Sequence, residues 1–423
     1  MNDNHSVDEL SFKPRWISPA LESAVQDHSV VVLTGARQVG KSTLLQHSKP
    51  FVRWRYLTLD DYDVRTQVDQ DPQALWAGVD RLVLDEVQKA PGLIPAIKRA
   101  VDQRQRKMRF VLSGSANLLL MEKISESLAG RAIYLTLSPM TWGEMQGKPA
   151  PDWFRKLFSG DLPAEAALAS HSASDDLAQL LLRGFMPPLL ELARPEAWAR
   201  WWEGYIMTYL ERDLRQLARI EALADFRRVM SALALRSGQL LNQTEVARDA
   251  AVPQPTVHRY INLLEAGHLV ERLPAYAVSR TTRLIKTPKA YWMDPALAVH
   301  LAGYSDLTGI KGARELGGFF ETLVLHHLRV ASQGFFPRPR LHYWRTASGS
   351  EVDFVLEQGR SLVVAEVKMA TTARYTDVEG LRRFLREYPQ TKAGLLIYTG
   401  REVRRLDEQI VAVPWQMIAA KLP

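Results

Sequence analysis

The pattern of apolar and polar residues predicts alternating strands and helices in the first third of the chain. Residues 30–33 are an unbroken β-branched and aliphatic run, while residues 81–84 and 109–112 each place three apolar residues after an arginine. Residues 54–59 alternate, and residues 132–137 form a fifth short apolar segment. Such runs, separated by helix-length segments, are typical of buried strands in a parallel sheet. The pattern therefore predicts an α/β core with five strands.

The pattern changes after residue 148. Residues 149–219 have helical periodicity and are rich in Leu, Ala and Trp, which predicts a helical lid packed beside the core. Residues 241–247 and 256–264 indicate two helices around a Val-Pro-Gln-Pro turn, with Thr244 as the expected cap, and a strand begins near residue 267. Helix, tight turn, helix and strand predict a winged helix-turn-helix.

The C-terminal part returns to an α/β pattern. Strands are predicted at residues 341–344, 351–356, 362–368 and 393–398, and a helix at residues 378–387. A chain of 423 residues is too long for one ordinary core. We therefore expect four domains, at residues 1–148, 149–224, 225–300 and 301–423.

Composition excludes several kinds of protein. The chain has no cysteine, which excludes a disulfide framework, a thiol nucleophile and a Cys-ligated zinc site. No apolar run approaches the roughly 20 residues of a membrane span, and the polar N-terminus does not resemble a signal peptide. These features predict a soluble, cytoplasmic protein with no membrane partner. The formal net charge of +7 favours a polyanionic partner such as DNA.

A glycine-rich loop follows the first predicted strand, with Gly35 and Gly40 bracketing four residues before Lys41 and Ser42. Glycines let successive backbone N–H groups curl round a phosphate, and the following helix N-terminus adds partial positive charge. Lys41 would reach the β- and γ-phosphates, and Ser42 would bind Mg²⁺. The expected nucleotide-binding residues are Gly35, Ala36, Arg37, Gln38, Val39, Gly40, Lys41, Ser42 and Thr43.

Two acids end the strand predicted at residues 81–86, roughly 45 residues after the loop. This is the Walker B arrangement, in which Asp85 would hold Mg²⁺ and Glu86 would polarise the attacking water. Gln88 would help to position that water or respond to the γ-phosphate. No guanine-reading Asn/Thr-Lys-x-Asp motif follows this strand, so ATP is the expected cofactor, together with Mg²⁺.

Several motifs together resemble the bacterial and archaeal AAA-type ATPases that carry a C-terminal domain of unknown function. These motifs are GARQVGKST, LDEVQ, LSGSANLLL, GRAIYLTLSPMTWGE, LLRGFMPPLL and YLERDLRQL. The resemblance implies a nucleotide-binding core, a helical lid, a winged helix and a nuclease-like C-terminal domain. It also suggests that one of Glu211, Arg212 and Asp213 meets the nucleotide or the next subunit, with Arg212 as the candidate, although a solvated, salt-bridged face is the alternative. Where the family has a Gly-Gly-aromatic-Pro turn, this chain has Arg183-Gly184-Phe185-Met186-Pro187.

The same class of ATPase suggests two further site residues. A polar residue after the strand at residues 109–112 would sense the γ-phosphate, and Ser115 is the first choice, with Ser113 and Asn117 as rivals. A simple turn is the alternative. Arg131, before the fifth strand, occupies the place of an arginine finger that completes a neighbour's site in a ring. An arginine that caps a helix is the other interpretation.

Cations in the predicted winged helix are the candidate DNA contacts. The second helix offers His258 and Arg259, and the following segment is richer in cations. The wing cations are Arg280, Arg283, Lys286 and Lys289. They would suit phosphate contacts without sequence readout. A winged helix that serves only for protein packing is the alternative.

The C-terminal strands carry a second constellation. Glu366 and Lys368 are two residues apart, so they face the same side of a strand, and Asp353 lies on the neighbouring strand. Glu321, on the preceding helix, offers a further carboxylate. This arrangement resembles the PD-(D/E)xK nuclease core, in which Asp353 and Glu366 would bind Mg²⁺ and Lys368 would stabilise developing charge. An inactive nuclease-like fold is the competing interpretation.

Together these motifs predict a ring-forming, Mg²⁺-dependent ATPase that acts as a motor on branched or duplex DNA. Glu86 would activate water, and Arg131 would be supplied by the neighbour in a homo-oligomer. The order of core, lid and winged helix resembles that of branch-migration motors and origin-loading ATPases, by analogy of fold. The alternative is a nucleotide-controlled switch that uses its winged helix to bind a protein or promoter, with a non-cleaving nuclease-like domain.

Overall fold

The computed structural model divides the chain into two compact units. The N-terminal unit comprises Met1–Met140 with Glu144–Gly147, and the C-terminal unit comprises Thr141–Gly143 with Lys148–Pro423. The structure describes residues 12–103, 107–114, 128–167, 173–208, 222–279, 281, 283 and 286–419. The predicted roles of Ser115, Asn117, Arg212 and Arg280 fall outside these residues.

The N-terminal unit is a five-stranded parallel sheet with helices in the connections. Its elements are α1 (Ser18–Asp27), β1 (Val30–Thr34), α2 (Lys41–His47), β2 (Arg55–Thr58), α3 (Tyr62–Gln70), β3 (Arg81–Asp85), α4 (Leu93–Gln103), β4 (Arg109–Ser113) and β5 (Ala132–Thr136). The strand order is β2-β3-β4-β1-β5, and all pairs are parallel. All five predicted strands are confirmed, and β4 lies between β1 and β3 as expected of an ATPase with an additional strand.

Apolar burial explains why this sheet forms. All five residues of β1 are buried, as are the apolar residues of β3 and β4. Helix α4 buries Leu93, Ile94, Ile97 and Val101, which recur at helical spacing and cover one face of the sheet. The site-bearing loops at the carboxyl ends of the strands therefore extend from a rigid, water-excluding base.

The C-terminal unit begins with helical segments. They are α5 (Trp142–Met145), α6 (Trp153–Lys156), α7 (Ala173–Arg183), α8 (Pro195–Tyr205), α9 (Leu223–Ala234), α10 (Gln243–Ala250) and α11 (Gln254–Ala266), with the short strand β6 (Ala166–Ala167) before α7. Helix α5 has its first two residues in the C-terminal unit and its last two in the N-terminal unit. The antiparallel hairpin β7 (Val270–Leu273) and β8 (Lys289–Trp292) follows α11. The predicted order of helix, turn, helix and strand is thus present, while its identification as a winged helix stays a prediction.

One local prediction in this segment was wrong. Asn242, not Thr244, caps α10, because its side-chain oxygen accepts the backbone N–H groups of Thr244 and Glu245. Asn is as good a cap as Thr, and its position one residue before the first helical turn decides the geometry. Thr244 lies inside the helix.

The remaining elements form a seven-stranded mixed sheet with helices. They are α12 (Pro295–Leu301), α13 (Leu307–Lys311), α14 (Leu316–Ala331), β9 (Arg340–Arg345), β10 (Glu351–Gln358), β11 (Ser361–Lys368), α15 (Glu379–Glu387), β12 (Thr391–Tyr398), β13 (Glu402–Asp407), β14 (Ile410–Pro414) and α16 (Trp415–Ala419). The strand order is β6-β13-β14-β12-β11-β10-β9. The four predicted C-terminal strands and the helix between them are confirmed as elements.

An irregularity in β10 affects the candidate site. The pairing of β10 with β9 shifts register between Val352 and Val355, so three residue steps on β10 face two on β9. Such a bulge redirects the side chains of the strand that carries it, and here that strand segment contains Asp353.

No helix among the described residues is long and apolar enough to span a membrane.

Candidate functional site

The loop between β1 and α2 is built from unusual backbone conformations. Gly35 has φ +144°, Gln38 +62° and Gly40 +92°, so the chain reverses tightly at the carboxyl end of β1. A Cβ on Gly35 would lie 2.3 Å from the carbonyl oxygen of Leu137, so only glycine fits there. The predicted phosphate-binding loop is therefore held in a fixed curve at the edge of the sheet.

Lys41 begins α2 and folds back over this loop. Its Nζ donates to the carbonyl oxygens of Gly35, at 3.1 Å, and Ala36, at 2.8 Å. Burial lowers the pKa of Lys41 to about 8, although the nearby carboxylates of Glu86 and Asp85 oppose this shift. The ammonium is thus a desolvated cation placed beside two acids, which suits the binding of a phosphate.

The carboxylate of Asp85 lies at the end of β3 and is 2% exposed. Its Oδ2 accepts a 2.5 Å hydrogen bond from the hydroxyl of Tyr56, and its Oδ1 accepts the backbone N–H of Glu86 at 3.0 Å. The Tyr56 hydroxyl also lies near the side chain of Ser42. The fold therefore brings the two predicted Mg²⁺ ligands together around one hydroxyl. Hydroxyl and carboxylate oxygens are the donors that Mg²⁺ prefers, so this pair fits the metal.

Sequence reasoning missed Tyr56. It lies on β2, which pairs in parallel with β3 so that Thr58 is opposite Asp85. Residues two apart share a face of a strand, so Tyr56 is on the face of Thr58. Burial raises the pKa of Tyr56, and the hydrogen bond to Asp85 makes a smaller contribution in the same direction. The hydroxyl therefore keeps its proton and can donate it in a hydrogen bond. The sequence carried no local signal for this contact, because the contact depends on the register of the two strands.

Glu86 follows Asp85 in the left-handed conformation, with φ +55°. The side-chain amide of Gln88 donates to the Glu86 carboxylate. Burial raises the pKa of Glu86, and the charge of Asp85 adds to the shift. A carboxylate with a raised pKa is a better proton acceptor near neutral pH, which agrees with the chemistry predicted for Glu86.

The end of β4 approaches the same residues. A Cβ on Gly114 would lie 2.3 Å from Oε1 of Gln88. The hydroxyl of Ser113, at the end of β4, is fully buried, and its oxygen has no hydrogen-bond partner among the described residues. Ser113 therefore remains a candidate sensor of the γ-phosphate.

Arg131 is paired within its own chain. Its Nε and Nη2 donate to the two carboxylate oxygens of Asp102, at 2.7 and 3.0 Å, and its Nη1 donates to the carbonyl oxygen of Ala129 at 3.2 Å. This fork-to-fork geometry fixes the guanidinium at the end of α4. Its role as a finger stays a prediction.

The candidate DNA contacts fall into exposed and paired groups. His258 and Arg259 are exposed on α11, and Lys286 is exposed before β8. Arg283 instead forms two hydrogen bonds to the carboxylate of Glu357, at 2.7 and 3.1 Å. The charge of Arg283 is therefore matched within the protein, while Arg259, Lys286 and the imidazole of His258 are exposed.

Lys289 was expected among the wing cations, and this expectation was wrong. Its side chain is 4% exposed, and its Nζ lies 2.6 Å from Glu351, 2.9 Å from Glu321 and 3.3 Å from Asp353. All four residues of β8 are buried, so this strand has no solvent face to which Lys289 could point. Burial would lower the pKa of Lys289, but the surrounding carboxylates outweigh it and raise the pKa.

The predicted nuclease-like residues are adjacent to this lysine. Asp353 Oδ2 accepts the backbone N–H of Val367 at 2.9 Å, and Lys368 Nζ lies 2.8 Å from Oε1 of Glu366. Burial raises the pKa of Glu366 to about 8, and the charge of Asp353 adds to this shift. We call the set of Lys289, Glu321, Glu351, Asp353, Glu366 and Lys368 the acid–lysine cluster.

The acid–lysine cluster does not fit a divalent metal as it stands. Among the described residues there is no group of three or more acidic or imidazole side chains that could hold a metal ion. The oxygens of Glu321, Glu351 and Asp353 converge on the ammonium of Lys289. The assignment of Asp353 and Glu366 as metal ligands stays a prediction, which this geometry does not favour.

A cleft of about 910 Å³ lies beside this cluster. It occupies the carboxyl ends of β11, which ends at Lys368, and β12, which ends at Tyr398. Its charged lining residues are Arg374, Asp377, Arg401, Glu402 and Arg404. Sequence reasoning missed these arginines, because they are distributed over loops and a strand and form no contiguous motif.

Three family models match the chain in succession. One described as an AAA domain matches residues 27–146, and two described as domains of unknown function, DUF8612 and DUF4143, match residues 174–308 and 316–418. Among solved structures, a Walker-type ATPase of Pyrococcus abyssi is 16% identical, with a TM-score of 0.44, and covers 67% of this chain and 94% of its own. The Thermotoga maritima RuvB Holliday junction branch migration motor is 16% identical, with a TM-score of 0.30, and covers 61% and 89%.

Two mycobacterial relatives match almost the whole chain. The uncharacterized proteins Rv2008c of Mycobacterium tuberculosis and Mb2031c of Mycobacterium bovis are each 31% identical over 406 residues, which cover 94% of this chain and 82% of the relative. The AAA domain match coincides with the parallel sheet and its phosphate-binding loop. The chain therefore belongs to the family of these mycobacterial proteins, and it is itself an AAA-type P-loop ATPase with a C-terminal DUF4143 domain.

Proposed function

We propose that this AAA-type ATPase hydrolyses ATP in a Mg²⁺-dependent reaction and acts on DNA. The observation that carries the hydrolytic part is the convergence of Lys41, Ser42, Asp85 and Glu86 at the carboxyl ends of β1 and β3. A cation, a hydroxyl and two carboxylates at this place are the side chains that phosphoryl transfer to water requires.

Each residue has a distinct task in this reaction. Ser42 and Asp85 would hold Mg²⁺, which when bound neutralises charge on the β- and γ-phosphates. Lys41 exchanges the carbonyl oxygens of Gly35 and Ala36 for phosphate oxygens. Glu86 accepts the proton of the attacking water, and Gln88 holds the Glu86 carboxylate in place.

In the proposed ring of subunits, Arg131 would contribute to the same reaction in the neighbouring subunit. In the proposed homo-oligomer, Arg131 exchanges its partner Asp102 for the nucleotide bound to the neighbouring subunit. Asp102 would then keep the guanidinium ordered in the absence of that nucleotide. The pair has side chains 25% and 44% exposed, which keeps the arginine accessible for this exchange.

DNA is the partner proposed for the C-terminal unit. Exposed His258, Arg259 and Lys286, together with the arginines of the cleft beside β11 and β12, offer cations to a phosphate backbone. The proposed contacts are mainly with phosphates of branched or duplex DNA. The net charge of +7 supports this choice.

The test is ATP hydrolysis with and without short single-stranded, duplex, forked and four-way DNAs, measured at several salt concentrations. Stimulation by one structure, declining steeply with salt, is the expected result, because phosphate contacts release counterions. Glu86→Gln should retain ATP binding and lower kcat by roughly 10²- to 10⁴-fold, which excludes a contaminating ATPase. A rate of ATP hydrolysis that none of these DNAs changes would refute the proposal that DNA is the partner.

A nucleotide-controlled switch is the second candidate. The buried Lys289 among carboxylates favours it, because a non-cleaving C-terminal domain is what a switch requires. A switch predicts saturable ATP binding and slow turnover that DNA does not accelerate. Cleavage of DNA with Mg²⁺ or Mn²⁺ that disappears in Asp353→Ala or Lys368→Ala would contradict it.

A further inference from the structure

We propose that Lys289 is a built-in counter-ion that takes the place of a divalent cation in the acid–lysine cluster and excludes metal from it. The proposal concerns the C-terminal unit and is independent of ATP hydrolysis.

The cluster joins three parts of the fold through Lys289. The lysine is on β8 of the hairpin, Glu321 is on α14, and Glu351 and Asp353 are on β10. An ammonium has three N–H donors, and Nζ has one carboxylate oxygen within 3.3 Å in each of these three acids. The donor capacity of Lys289 is therefore filled by the groups that a metal would need.

A divalent cation and this ammonium cannot be bound together. Mg²⁺ requires oxygen ligands at about 2.0–2.1 Å in an octahedral arrangement. The lysine side chain is 4% exposed and fills the centre of the three carboxylates, so a metal would first have to expel it. A lysine expelled from this place would also leave its hydrogen-bonded acids and cross a buried region.

Further hydrogen bonds hold three carboxylates of the cluster, and Tyr291 contacts the Oε1 of Glu321 that also faces Lys289. Tyr291 donates its hydroxyl to Glu321, the N–H of Val367 is donated to Asp353, and Lys368 pairs with Glu366. Among the described residues of the cluster, Oε2 of Glu366 is buried and has no hydrogen-bond partner. One oxygen does not make a divalent site.

Cations of the protein offset most of the negative charge of the cluster without a metal. Four carboxylates face the ammonium groups of Lys289 and Lys368, and the guanidinium of Arg345 lies 3.5 Å from Glu351. Three protein cations therefore lie beside four carboxylates, within 3.5 Å of Glu321, Glu351, Asp353 or Glu366.

The experiment measures Mn²⁺ binding to the full chain without nucleotide, by electron paramagnetic resonance and calorimetry. Wild type should have no Mn²⁺ site that depends on Asp353. Lys289→Ala removes the ammonium and makes room, so it should gain one Mn²⁺ per chain, and adding Asp353→Asn should abolish the gain. Lys392→Ala, which removes an exposed lysine of the same sheet, is the matched control and should gain none.

Two outcomes would overturn the proposal. The first is a Mn²⁺ site in wild type that Asp353→Asn removes, and the second is a folded Lys289→Ala protein that binds no Mn²⁺. If Lys289→Ala does not fold, Lys289→Met keeps the apolar stem and the same comparison applies. Should both fail to fold, the wild-type measurement alone decides, because the presence or absence of an Asp353-dependent site tests exclusion directly.

Discussion

The hydroxyl of Tyr56 donates a 2.5 Å hydrogen bond to Oδ2 of Asp85 across two neighbouring parallel strands. A buried carboxylate needs such partners, because burial of an uncompensated charge is costly. The same hydroxyl lies near the side chain of Ser42, the other proposed Mg²⁺ ligand. Tyr56 therefore compensates Asp85 in the nucleotide-free protein.

Tyr56→Phe removes the hydroxyl that compensates Asp85 and should lower the stability of the nucleotide-free protein. A hydrogen bond to a charged group is worth about 1.5–3 kcal/mol, so the free energy of unfolding without nucleotide should fall by roughly that amount. Mg²⁺–ATP should restore part of the loss, since the cation becomes a new partner of Asp85. Thermal denaturation with and without Mg²⁺–ATP measures both effects, with exposed Tyr62→Phe as the control. An equal rise in Tm on adding Mg²⁺–ATP to variant and wild type would contradict the prediction.

Gln88→Ala should change the pH dependence of hydrolysis. The Gln88 amide favours the ionised form of Glu86, so its removal raises the pKa of Glu86 further. Because the ionised carboxylate accepts the proton, activity is lost as pH falls through this pKa, and the acidic limb of the kcat profile should move to higher pH. We expect a loss of roughly tenfold at pH 7 and a smaller loss at pH 9. A uniform loss at all pH values would mean that Gln88 acts otherwise, and exposed Gln67→Ala provides the control.

Gly114→Ala should reproduce the effect of Gln88→Ala without changing a reactive group. The new Cβ would lie 2.3 Å from Oε1 of Gln88 and force that side chain away from Glu86. Gly92→Ala adds the same methyl group where no atom lies within 4 Å, so it should leave kcat unchanged. The pH profile of kcat for the two variants checks the prediction. If Gly114→Ala behaves like Gly92→Ala, Gln88 does not position Glu86.

Variants of Arg131 and Asp102 distinguish two roles for Arg131, an arginine finger and a structural cap. A finger predicts that Arg131→Ala lowers kcat by about 10³- to 10⁵-fold with ATP binding intact, while Asp102→Ala preserves hydrolysis because it only frees the arginine. A cap predicts that both variants lower Tm and hydrolysis similarly. Mixing Arg131→Ala with Glu86→Gln chains provides a further measurement, since a finger supplied by a neighbour should restore activity in mixed assemblies. Full hydrolysis by Arg131→Ala alone would refute the ring.

Glu366 should make stability depend on pH. Its pKa is raised from an ordinary value of 4.5 to about 8, so its contribution to folding is complete below pH 4.5 and is lost as pH rises through about 8. The free energy of unfolding should therefore fall between about pH 5 and pH 8, and Glu366→Gln should reduce this fall by at least about 1 kcal/mol. Urea denaturation at several pH values measures it, and exposed Glu379→Gln should retain the wild-type slope. A slope unchanged by Glu366→Gln would contradict the prediction.

The local pattern of apolar and polar residues predicted most elements of the fold. The strands of the N-terminal sheet were readable because each is a short apolar run, and α10, α11 and the C-terminal strands were readable from periodicity. The cap of α10 was misplaced by two residues, because Asn242 and Thr244 are both good capping residues and only the backbone path distinguishes them. Boundaries of this kind depend on local geometry that composition does not encode.

The phosphate-binding loop could be predicted from local sequence, because Gly35 to Ser42 carry its chemistry within one contiguous segment. Tertiary structure decided the partners of the charged groups. Tyr56 reaches Asp85 from 29 positions away, and Lys289 meets Glu321 and Asp353 from 32 and 64 positions away. A lysine reads the same in a sequence whether it faces solvent or a buried carboxylate, since its electrostatic environment is set by distant elements. Only the packing of β8 against α14 and β10 turned an expected surface cation into the centre of an acidic cluster.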